Sequence, residues 1–133
     1  MTTDYKPDAY TSLSPYLIVD GAEATIAFLK AAFGAVELRR FLRGDGTVMH
    51  AELRIDDSVL MLSDPNPPGW PAMPSHVHLY VPDVDATYRR ALAAGAVSVQ
   101  EPSRKDDADK RGGVRYGGAT TWWIATQVGT AAR

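Results

Sequence analysis

The sequence has 133 residues, of which 45% are hydrophobic and 23% charged, as in an ordinary globular protein with room for one domain. Its 14 Lys and Arg against 16 Asp and Glu give a net charge of −2, which argues against nucleic acid as the main partner, because proteins that bind the phosphate backbone usually carry a basic excess. No cysteine is present, which excludes disulfides, thiolate metal sites and a cysteine nucleophile.

The first segment, residues 1–12, is polar and contains Pro7, so we expect an irregular lead-in. It lacks the basic-then-apolar layout of a signal peptide. No apolar run in the sequence approaches the length of a membrane span. We therefore expect a cytoplasmic protein without a membrane partner.

The first regular elements are a strand, a turn and a helix. Residues 15–19, PYLIV, are typical of a strand, which the turn pair Asp20-Gly21 ends. A helix is predicted from about residue 22 to residue 33, and Gly34 stands where a left-handed C-terminal cap is needed. Its apolar face is formed by residues at helical spacing: Ile26, Leu29 and Phe33.

A second strand, residues 36–42, leads through the turn RGDG to the stretch VMHAELRIDDSVLML. A two-residue turn at Asp56-Asp57 makes this stretch a hairpin in which Glu52 lies opposite Met61. Because strand side chains alternate between faces, one face is apolar and is expected to lie against the helix: Ala51, Leu53, Leu60 and Leu62. The opposite face carries the polar residues and Met61: His50, Glu52, Met61 and Ser63.

A proline-rich segment, residues 64–75, is predicted to link two modules, of which the first covers about residues 13–63 and the second about residues 76–128. The second module opens with HVHLYV, whose alternation turns one set of side chains away from the helix: His76, His78 and Tyr80. A helix is predicted from about residue 84 to residue 94, with an apolar stripe of Val84, Tyr88 and Leu92.

The charged segment of residues 100–113, QEPSRKDDADKRGG, is predicted to be a mobile loop. A last hairpin pairs residues 114–116 with residues 120–127. In its second strand, Trp122 and Trp123 point to opposite faces, and Trp122 is assigned to the core on the helix side. Lys110, Arg111 and Arg115 could attract an anionic ligand, although such charges more often belong to a solvated loop.

The strand, turn and helix are written twice, as YLIVDGAEATIAFLKAAFGA and as HLYVPDVDATYRRALAAGA. When the two copies are aligned, Leu17 meets Leu79 and Val19 meets Val81. Self-similarity of this kind indicates two copies of one module, each too small to bury its own core well. The sequence therefore predicts one α+β domain over residues 1–133, built from two βαβββ modules whose curved mixed sheets enclose a groove.

Four phrases carry a family resemblance: KPDAYTSLSPYLIVDGA, VMHAELRIDDSVLMLSD, HVHLYVPDVDAT and GGVR…TTWWIATQ. They resemble the vicinal oxygen chelate superfamily, which includes glyoxalase I, bleomycin-resistance proteins and extradiol dioxygenases, and within it the PhnB-like branch. That branch usually carries DPFGN before its tryptophans, whereas this sequence has YGGAT at residues 116–120. The resemblance implies the fold above and a homodimer, which exposed sheet edges would favour.

In metal-dependent relatives, four inward strand positions bind a divalent ion. Aligning those strands places four residues at these positions: Ser14, Met61, His76 and Trp123. Of these, His76 is a competent ligand, whereas a divalent catalytic site usually needs about three nitrogen or oxygen ligands from the protein. The glyoxalase reaction also needs a glutamate that Trp123 replaces. The resemblance therefore implies that the usual metal reaction is absent, and we expect no cofactor.

Two catalytic hypotheses stay open on the polar face. His50, Glu52 and His76 could form a displaced metal site, since two histidines and a carboxylate suit iron or zinc. Alternatively, His76 and Glu52 could act as a metal-free acid–base pair, because histidine titrates near neutral pH. In the simpler interpretation these groups are hydrogen-bonded polar residues that line the cleft.

The functional hypothesis that we favour is a metal-independent small-molecule binding protein with an aromatic groove, because ligand pockets are mostly apolar and aromatic with few polar groups. Tyr16 and Trp70 are candidates for its wall. The residues expected to line it are His50, Glu52, Met61, His76, His78, Tyr80 and Trp123. The alternative is a metal-dependent lyase, isomerase or dioxygenase of the same superfamily that uses His50, Glu52 and His76.

Overall fold

The structure is a computed structural model that describes residues 4–130, and this part of the chain contains eight strands and two helices. The elements of the first module are β1 (Tyr16–Ile18), α1 (Ala22–Phe33), β2 (Val36–Leu42), β3 (Val48–Ile55) and β4 (Ser58–Ser63). Those of the second are β5 (Ser75–Tyr80), α2 (Val84–Ala93), β6 (Val97–Arg104), β7 (Asp109–Arg115) and β8 (Thr120–Gln127).

Each module forms a four-stranded mixed sheet, with strand order β1-β4-β3-β2 in the first and β5-β8-β7-β6 in the second. The first strand of each module is parallel to the last, and the other neighbours are antiparallel. Corresponding strands occupy corresponding places in the two sheets. The predicted α+β fold of two βαβββ modules is therefore confirmed.

The register places one central row of side chains across each sheet. In the first sheet, backbone pairing aligns Tyr16 with Met61, Met61 with Glu52, and Glu52 with Arg39. The predicted Asp56-Asp57 turn and the Glu52–Met61 pair are thereby confirmed. The corresponding row of the second sheet is formed by His78, Trp123, Gly113 and Gln100.

The two helices begin and end by different means. Gly21, at φ 77°, precedes α1, and the side chain of Asp64 accepts the first free N–H of that helix from Ala22 at 2.7 Å. Gly34 ends α1 at φ 68°, the left-handed cap that the sequence predicts. Asp83 caps α2 by accepting a hydrogen bond from the N–H of Ala86 at 3.1 Å.

The apolar faces of both sheets and both helices share one core. Trp122 is its largest fully buried side chain and packs against Phe28 and Phe33 of α1. Phe28 also stacks on Tyr116 of the second module, with ring centroids 4.3 Å apart. The core covers the side of each sheet that faces the helices. Because strand side chains alternate between the two faces, the polar side chains lie on the face turned away from the helices.

The predicted mobile loop at residues 100–113 is wrong, since β6 reaches Arg104 and β7 begins at Asp109. The charged side chains of these strands are paired rather than free in solvent. Lys110 forms an ion pair with Asp85 at 2.9 Å, and Arg111 forms one with Asp109 at 2.8 Å. Composition indicated a loop here because it cannot distinguish charged residues that are paired on a strand from charged residues that are solvated in a loop.

The structure also shifts smaller features. The stripe of α2 includes Val84 and Tyr88 as predicted, but Leu92 is exposed and Ala91 is buried in its place. Residue 91 falls seven positions after Val84, on the same helix face, whereas residue 92 lies at the edge of that face. The first strand is shorter than the predicted residues 15–19, and α2 ends at residue 93.

Within residues 4–130, neither helix has the length and apolar character that crossing a membrane would require.

Candidate functional site

The helix-free face of the first sheet carries a hydrogen-bonded network, the module-one group, formed by Tyr10, Tyr16, Arg39, His50 and Glu52. Its centre is Glu52, which lies in the middle of β3 and is only 6% exposed. The Tyr10 hydroxyl donates to Glu52 Oε1 at 2.5 Å, and Arg39 Nε lies 3.1 Å from the same oxygen. Glu52 Oε2 is 2.7 Å from His50 Nε2. Both carboxyl oxygens are therefore engaged.

The surroundings of Glu52 keep its side chain ionised. Burial by itself raises the pKa of Glu52, but the hydrogen bonds from Tyr10 and His50, with the charge of Arg39, outweigh burial and hold the pKa below its ordinary value. An ionised carboxylate can only accept hydrogen bonds. His50 Nε2 therefore carries the hydrogen and donates a hydrogen bond to Glu52 Oε2.

The orientation of His50 determines how it meets Tyr16. In a neutral ring with the proton on Nε2, Nδ1 is an acceptor. His50 Nδ1 lies 3.1 Å from the Tyr16 hydroxyl, which can donate to it. Carboxylate, imidazole and phenol therefore form a continuous chain from Glu52 through His50 to Tyr16.

Aromatic rings border this chain. The ring of Tyr16 meets the indole of Trp70 edge-on, with centroids 5.9 Å apart. Trp70 belongs to the segment between the modules and is fixed there by donating from Nε1 to Ser63 Oγ at 2.9 Å. Phe41 lies on the other side, 6.2 Å from the His50 ring. The polar chain is thus set among apolar surfaces.

The helix-free face of the second sheet carries two aromatic rings instead of such a network. We call this pair, formed by His76 and Trp123, the module-two plate. Trp123 Nε1 donates to His76 Nδ1 at 3.1 Å. The two rings are nearly parallel, at 7°, yet their centroids are 6.3 Å apart. Because the indole N–H and the lone pair of the imidazole nitrogen both lie in the planes of their rings, this hydrogen bond sets the two parallel rings edge to edge, and together they form one extended flat surface.

Gly113 of β7 allows the indole to lie flat. A Cβ atom added to Gly113 would be 2.6 Å from Trp123 Cζ3 and 2.7 Å from Cε3, closer than real Cβ contacts come. The backbone of Gly113 is therefore the support of the plate. His76 is exposed and Trp123 is partly exposed, so part of the plate can be reached from solvent.

Beside the plate lies the module-two ion cluster, formed by His78, Tyr80, Asp109 and Arg111. The Tyr80 hydroxyl and Arg111 Nη2 both donate to Asp109 Oδ2, at 2.6 and 2.8 Å. Arg111 Nε donates to His78 Nε2 at 3.0 Å. The His78 nitrogen must be unprotonated to accept this bond.

Burial, with the adjacent positive charge of Arg111, lowers the pKa of His78 from its ordinary value of 6.5. The hydrogen bond to Asp109 raises the pKa of Tyr80. Both groups are therefore neutral near pH 7.

The predicted lining residues are thus divided between two surfaces. His50 and Glu52 belong to the module-one group, and Met61 stands between Tyr16 and Glu52 in the central row. The others are placed in the second module: His76, His78, Tyr80 and Trp123. Within residues 4–130, no hydrogen bond or ring contact found in the structure joins the two sets.

Sequence reasoning missed four residues of these surfaces: Tyr10, Arg39, Asp109 and Arg111 as a partner of His78. Tyr10 lies in the irregular lead-in, where strand alternation carries no information. Arg39 could have been found from the register of β2, because residue 39 pairs with residue 52. Asp109 was hidden by the loop assignment.

The residues at the superfamily metal positions do not fit a divalent ion. Ser14 is a weak ligand, Met61 is soft and neutral, and Trp123 supplies no donor, which leaves His76 alone. Moreover, His76 Nδ1 already accepts from Trp123. The displaced set is not assembled either, since within residues 4–130 no three His, Asp or Glu side chains lie close enough to hold a metal.

Two cavities lie between the modules. One, of about 400 Å³, is bordered by Leu13, Leu60 and Val77 together with His78 and Tyr80. The other, of about 470 Å³, lies between the β3–β4 turn and α2 and is also bordered by Tyr80. Neither of the two includes the plate or the module-one group.

Comparison with known proteins assigns the chain to a family. The model of the Glyoxalase/Bleomycin resistance protein/Dioxygenase superfamily matches residues 9–114. The chain therefore belongs to this superfamily. An uncharacterized protein of Mycobacterium bovis is 42% identical over 116 residues, which are 80% of this chain and 73% of that protein.

An uncharacterized protein of Mycobacterium tuberculosis is also 42% identical, over 80% of this chain, and the match spans 65% of its length. Among solved structures, TioX from Micromonospora sp. ML1 superposes with a TM-score of 0.73 at 24% identity, covering 88% of this chain and 98% of TioX. A family protein from Nocardioides gives a TM-score of 0.66 at 17% identity, over 98% and 91% of the two chains. At these identities, the two structures support the fold alone.

Proposed function

We propose that the protein binds a planar aromatic small molecule with a negative charge, and that it does so without a metal ion, on the module-two plate. The observation that carries the proposal is the flat hydrogen-bonded pair of Trp123 and His76, supported from below by Gly113 and reached in part from solvent. A planar ring that covers this surface removes apolar area from water on both partners. Aromatic contacts add about 0.5–1.5 kcal/mol beyond that burial.

The charge preference follows from the neighbours of the plate. Arg115 is exposed on β7, two residues after Gly113 and therefore on the same face. Backbone pairing aligns both Arg115 and His76 with Thr121 of β8, so Arg115 lies in the same cross-strand row as the His76 half of the plate. On the other side, Arg111 is committed to Asp109 and His78. Arg115 is thus the residue we expect to meet the anionic group.

A binding function agrees better with the geometry than a metal-dependent reaction does. The two ring nitrogens of His50 and both oxygens of Glu52 are engaged within the module-one group. His76, the third member of the hypothetical metal site, is engaged with Trp123 in the other module. A metal ion at His50, Glu52 and His76 would have to disrupt all of these contacts.

The test is a titration with 2-naphthoate and with decahydro-2-naphthoate, which has the same charge but no flat ring. We expect 2-naphthoate to bind and the saturated compound to bind at least about tenfold more weakly, since stacking and flat contact are lost. Trp123→Ala should abolish the preference. Tyr5→Ala, which removes an exposed aromatic ring of the lead-in, is the control and should leave binding unchanged.

The same titration separates the two functional classes. Binding of 2-naphthoate should be unchanged by EDTA, and Zn²⁺ or Mn²⁺ should not raise the melting temperature, because a ligand that binds the native state stabilises it by mass action. A metal-dependent rise in melting temperature that His76→Ala removes would contradict the proposal. Equal binding of the flat and saturated compounds would contradict it as well.

A further inference from the structure

The module-one group has a chemistry that the proposed binding function does not use. Its chain of contacts runs from the buried carboxylate of Glu52 to His50 Nε2 at 2.7 Å, and from His50 Nδ1 to the Tyr16 hydroxyl at 3.1 Å. The buried end is fixed by Tyr10 and Arg39, which hold Glu52 Oε1. The outer end, Tyr16, is 41% exposed and can be reached from solvent.

We propose that Tyr16, His50 and Glu52 form a metal-independent acid–base site, in which the Tyr16 oxygen exchanges a proton with a small carbonyl compound. This site lies on the first sheet and does not depend on ligand binding at the module-two plate. Its substrate class is a carbon acid with an aryl group, because Trp70 and Phe41 border the chain on two sides.

The proton balance is complete within the three residues. The C–H bond next to the substrate carbonyl breaks, and its proton moves to the Tyr16 oxygen while the electron pair stays on the substrate as an enolate. The hydroxyl proton of Tyr16 moves to His50 Nδ1. The imidazolium formed in this way faces the Glu52 carboxylate, which remains ionised and offsets the new charge. Return of the proton to the same or another carbon completes an exchange or an isomerisation.

The arrangement separates the roles of the residues. Tyr16 is the catalytic residue, because it meets the substrate. His50 takes the proton, and Glu52 fixes the tautomer of His50 in the way that a buried carboxylate orients the histidine of a catalytic triad. Tyr10 and Arg39 are positioning residues, since each acts on the chain through its contact with Glu52.

A second tyrosine provides an internal control. Tyr80, on the second sheet, is 61% exposed and also donates a hydrogen bond, but to the carboxylate of Asp109. The hydrogen bond to that carboxylate raises the pKa of Tyr80, so its phenolate forms less readily near neutral pH. Tyr5 is 72% exposed in the lead-in and serves as the exposed reference.

The first measurement is deuterium incorporation into the benzylic position of phenylacetone in D₂O, followed by proton NMR. The protein should accelerate exchange over buffer, and Tyr16→Phe should lower the acceleration about 100-fold, the usual contribution of a positioned acid or base. Glu52→Gln should lower it less, and Tyr5→Phe should leave it unchanged. Acceleration that persists in Tyr16→Phe would overturn the proposal.

The second measurement reads the activation of Tyr16 without a bound substrate. N-acetylimidazole transfers its acetyl group to phenol oxygens, and peptide mass spectrometry gives the rate at each tyrosine. Tyr16 should react about tenfold faster than Tyr5 or Tyr80, although it is the least exposed of the three, because His50 accepts its proton. His50→Gln should bring Tyr16 down to the rate of Tyr5.

The two results together decide the proposal. Fast acetylation of Tyr16 without exchange of phenylacetone would overturn the carbon-acid assignment. Slow acetylation without exchange would overturn the acid–base site altogether. Binding of 2-naphthoate at the plate is measured separately and is expected to survive Tyr16→Phe, so failure here leaves the proposed function standing.

Discussion

The central rows of the two sheets occupy the same place in a repeated module and yet have opposite chemistry. In the first sheet the row is Tyr16, Met61, Glu52 and Arg39, and in the second it is His78, Trp123, Gly113 and Gln100. The decisive difference is at one position of the third strand, where the first module has Glu52 and the second has Gly113.

That one difference determines what the neighbouring residues can do. The charge of a buried carboxylate at the centre of the first sheet needs partners that compensate it. Glu52 therefore accepts hydrogen bonds or ion pairs from Tyr10, Arg39 and His50. A glycine at the centre of the second sheet leaves room for an indole to lie on the backbone. One repeated scaffold thus carries the two surfaces to which we assign different proposed roles, proton transfer on the first module and binding of a flat ligand on the second.

We expect the largest effect, a loss of stability, from a substitution in the core, which covers the helix-facing side of both sheets. Trp122 is fully buried against α1, whereas its neighbour Trp123 lies on the open face. Trp122→Ala should lower the free energy of unfolding by about 3–5 kcal/mol, as for other buried aromatic residues. Trp123→Ala should cost far less stability but lose 2-naphthoate binding. Urea unfolding measures the free energy of unfolding of both variants. Equal losses of stability in Trp122→Ala and Trp123→Ala would contradict the assignment of the two side chains to opposite faces.

The next largest effect should come from Glu52→Gln. The amide removes the charge that faces Arg39 and His50 and leaves these partners poorly satisfied, which should cost about 1–3 kcal/mol. Glu23→Gln is the matched control, because Glu23 is an exposed partner of Arg40, and we expect little change there.

The effect of Glu52→Gln also has a defined pH dependence. The folded-state pKa of Glu52 lies below its ordinary value of 4.5, so the wild-type carboxylate contributes stability above that pH. This contribution is lost only as the pH falls through the lower folded-state pKa. The difference between wild type and variant should therefore persist down to pH 4.5 and shrink below it.

A smaller loss of stability is expected when the second module, like the first, carries a side chain at the central position of its third strand. Gly113→Ala adds a Cβ atom 2.6 Å from the indole of Trp123, which must tilt away from the backbone. Because Trp123 is partly exposed and can move, we expect a loss of about 1 kcal/mol in stability. Binding of 2-naphthoate should weaken strongly. Gly44→Ala has open space for its Cβ atom and should change neither property.

The smallest expected effect is the pH dependence contributed by His78. Its folded-state pKa lies below the ordinary 6.5, so the unfolded chain binds more protons just below that pH. Stability should therefore fall as the pH drops from about 6.5 towards the folded-state pKa. His78→Asn should flatten this part of the profile, measured as the melting temperature from pH 7 to pH 5. An unchanged slope would show that Arg111 does not depend on a neutral His78.

The sequence predicted features that depend on local periodicity. The hairpin at residues 48–63, the Gly34 cap and the opposite orientation of Trp122 and Trp123 all follow from alternation or turn chemistry. What it could not predict depends on partners distant along the chain. The contact between Tyr10 and Glu52 joins residues 42 positions apart, and Tyr10 lies in a segment without regular structure.

The division of the predicted groove into two surfaces has a similar cause. Alternation correctly placed His50 and His76 on helix-free faces, but facing does not determine distance. Strands β6 and β7 were not predicted, because charged residues such as Lys110, which pairs with Asp85, give this segment the composition of a solvated loop. Whether a charge is paired is decided by the tertiary fold and not by its neighbours in sequence.

The most direct test of the difference between the two modules is an NMR titration of the indole N–H signals of the three tryptophans. Trp70 reports on the first module, Trp122 on the core and Trp123 on the plate. We predict that 2-naphthoate shifts the Trp123 signal most, that decahydro-2-naphthoate does not, and that Gly113→Ala removes the shift. A larger shift at Trp70 than at Trp123, or equal shifts with both compounds, would contradict the assignment of ligand binding to the second module.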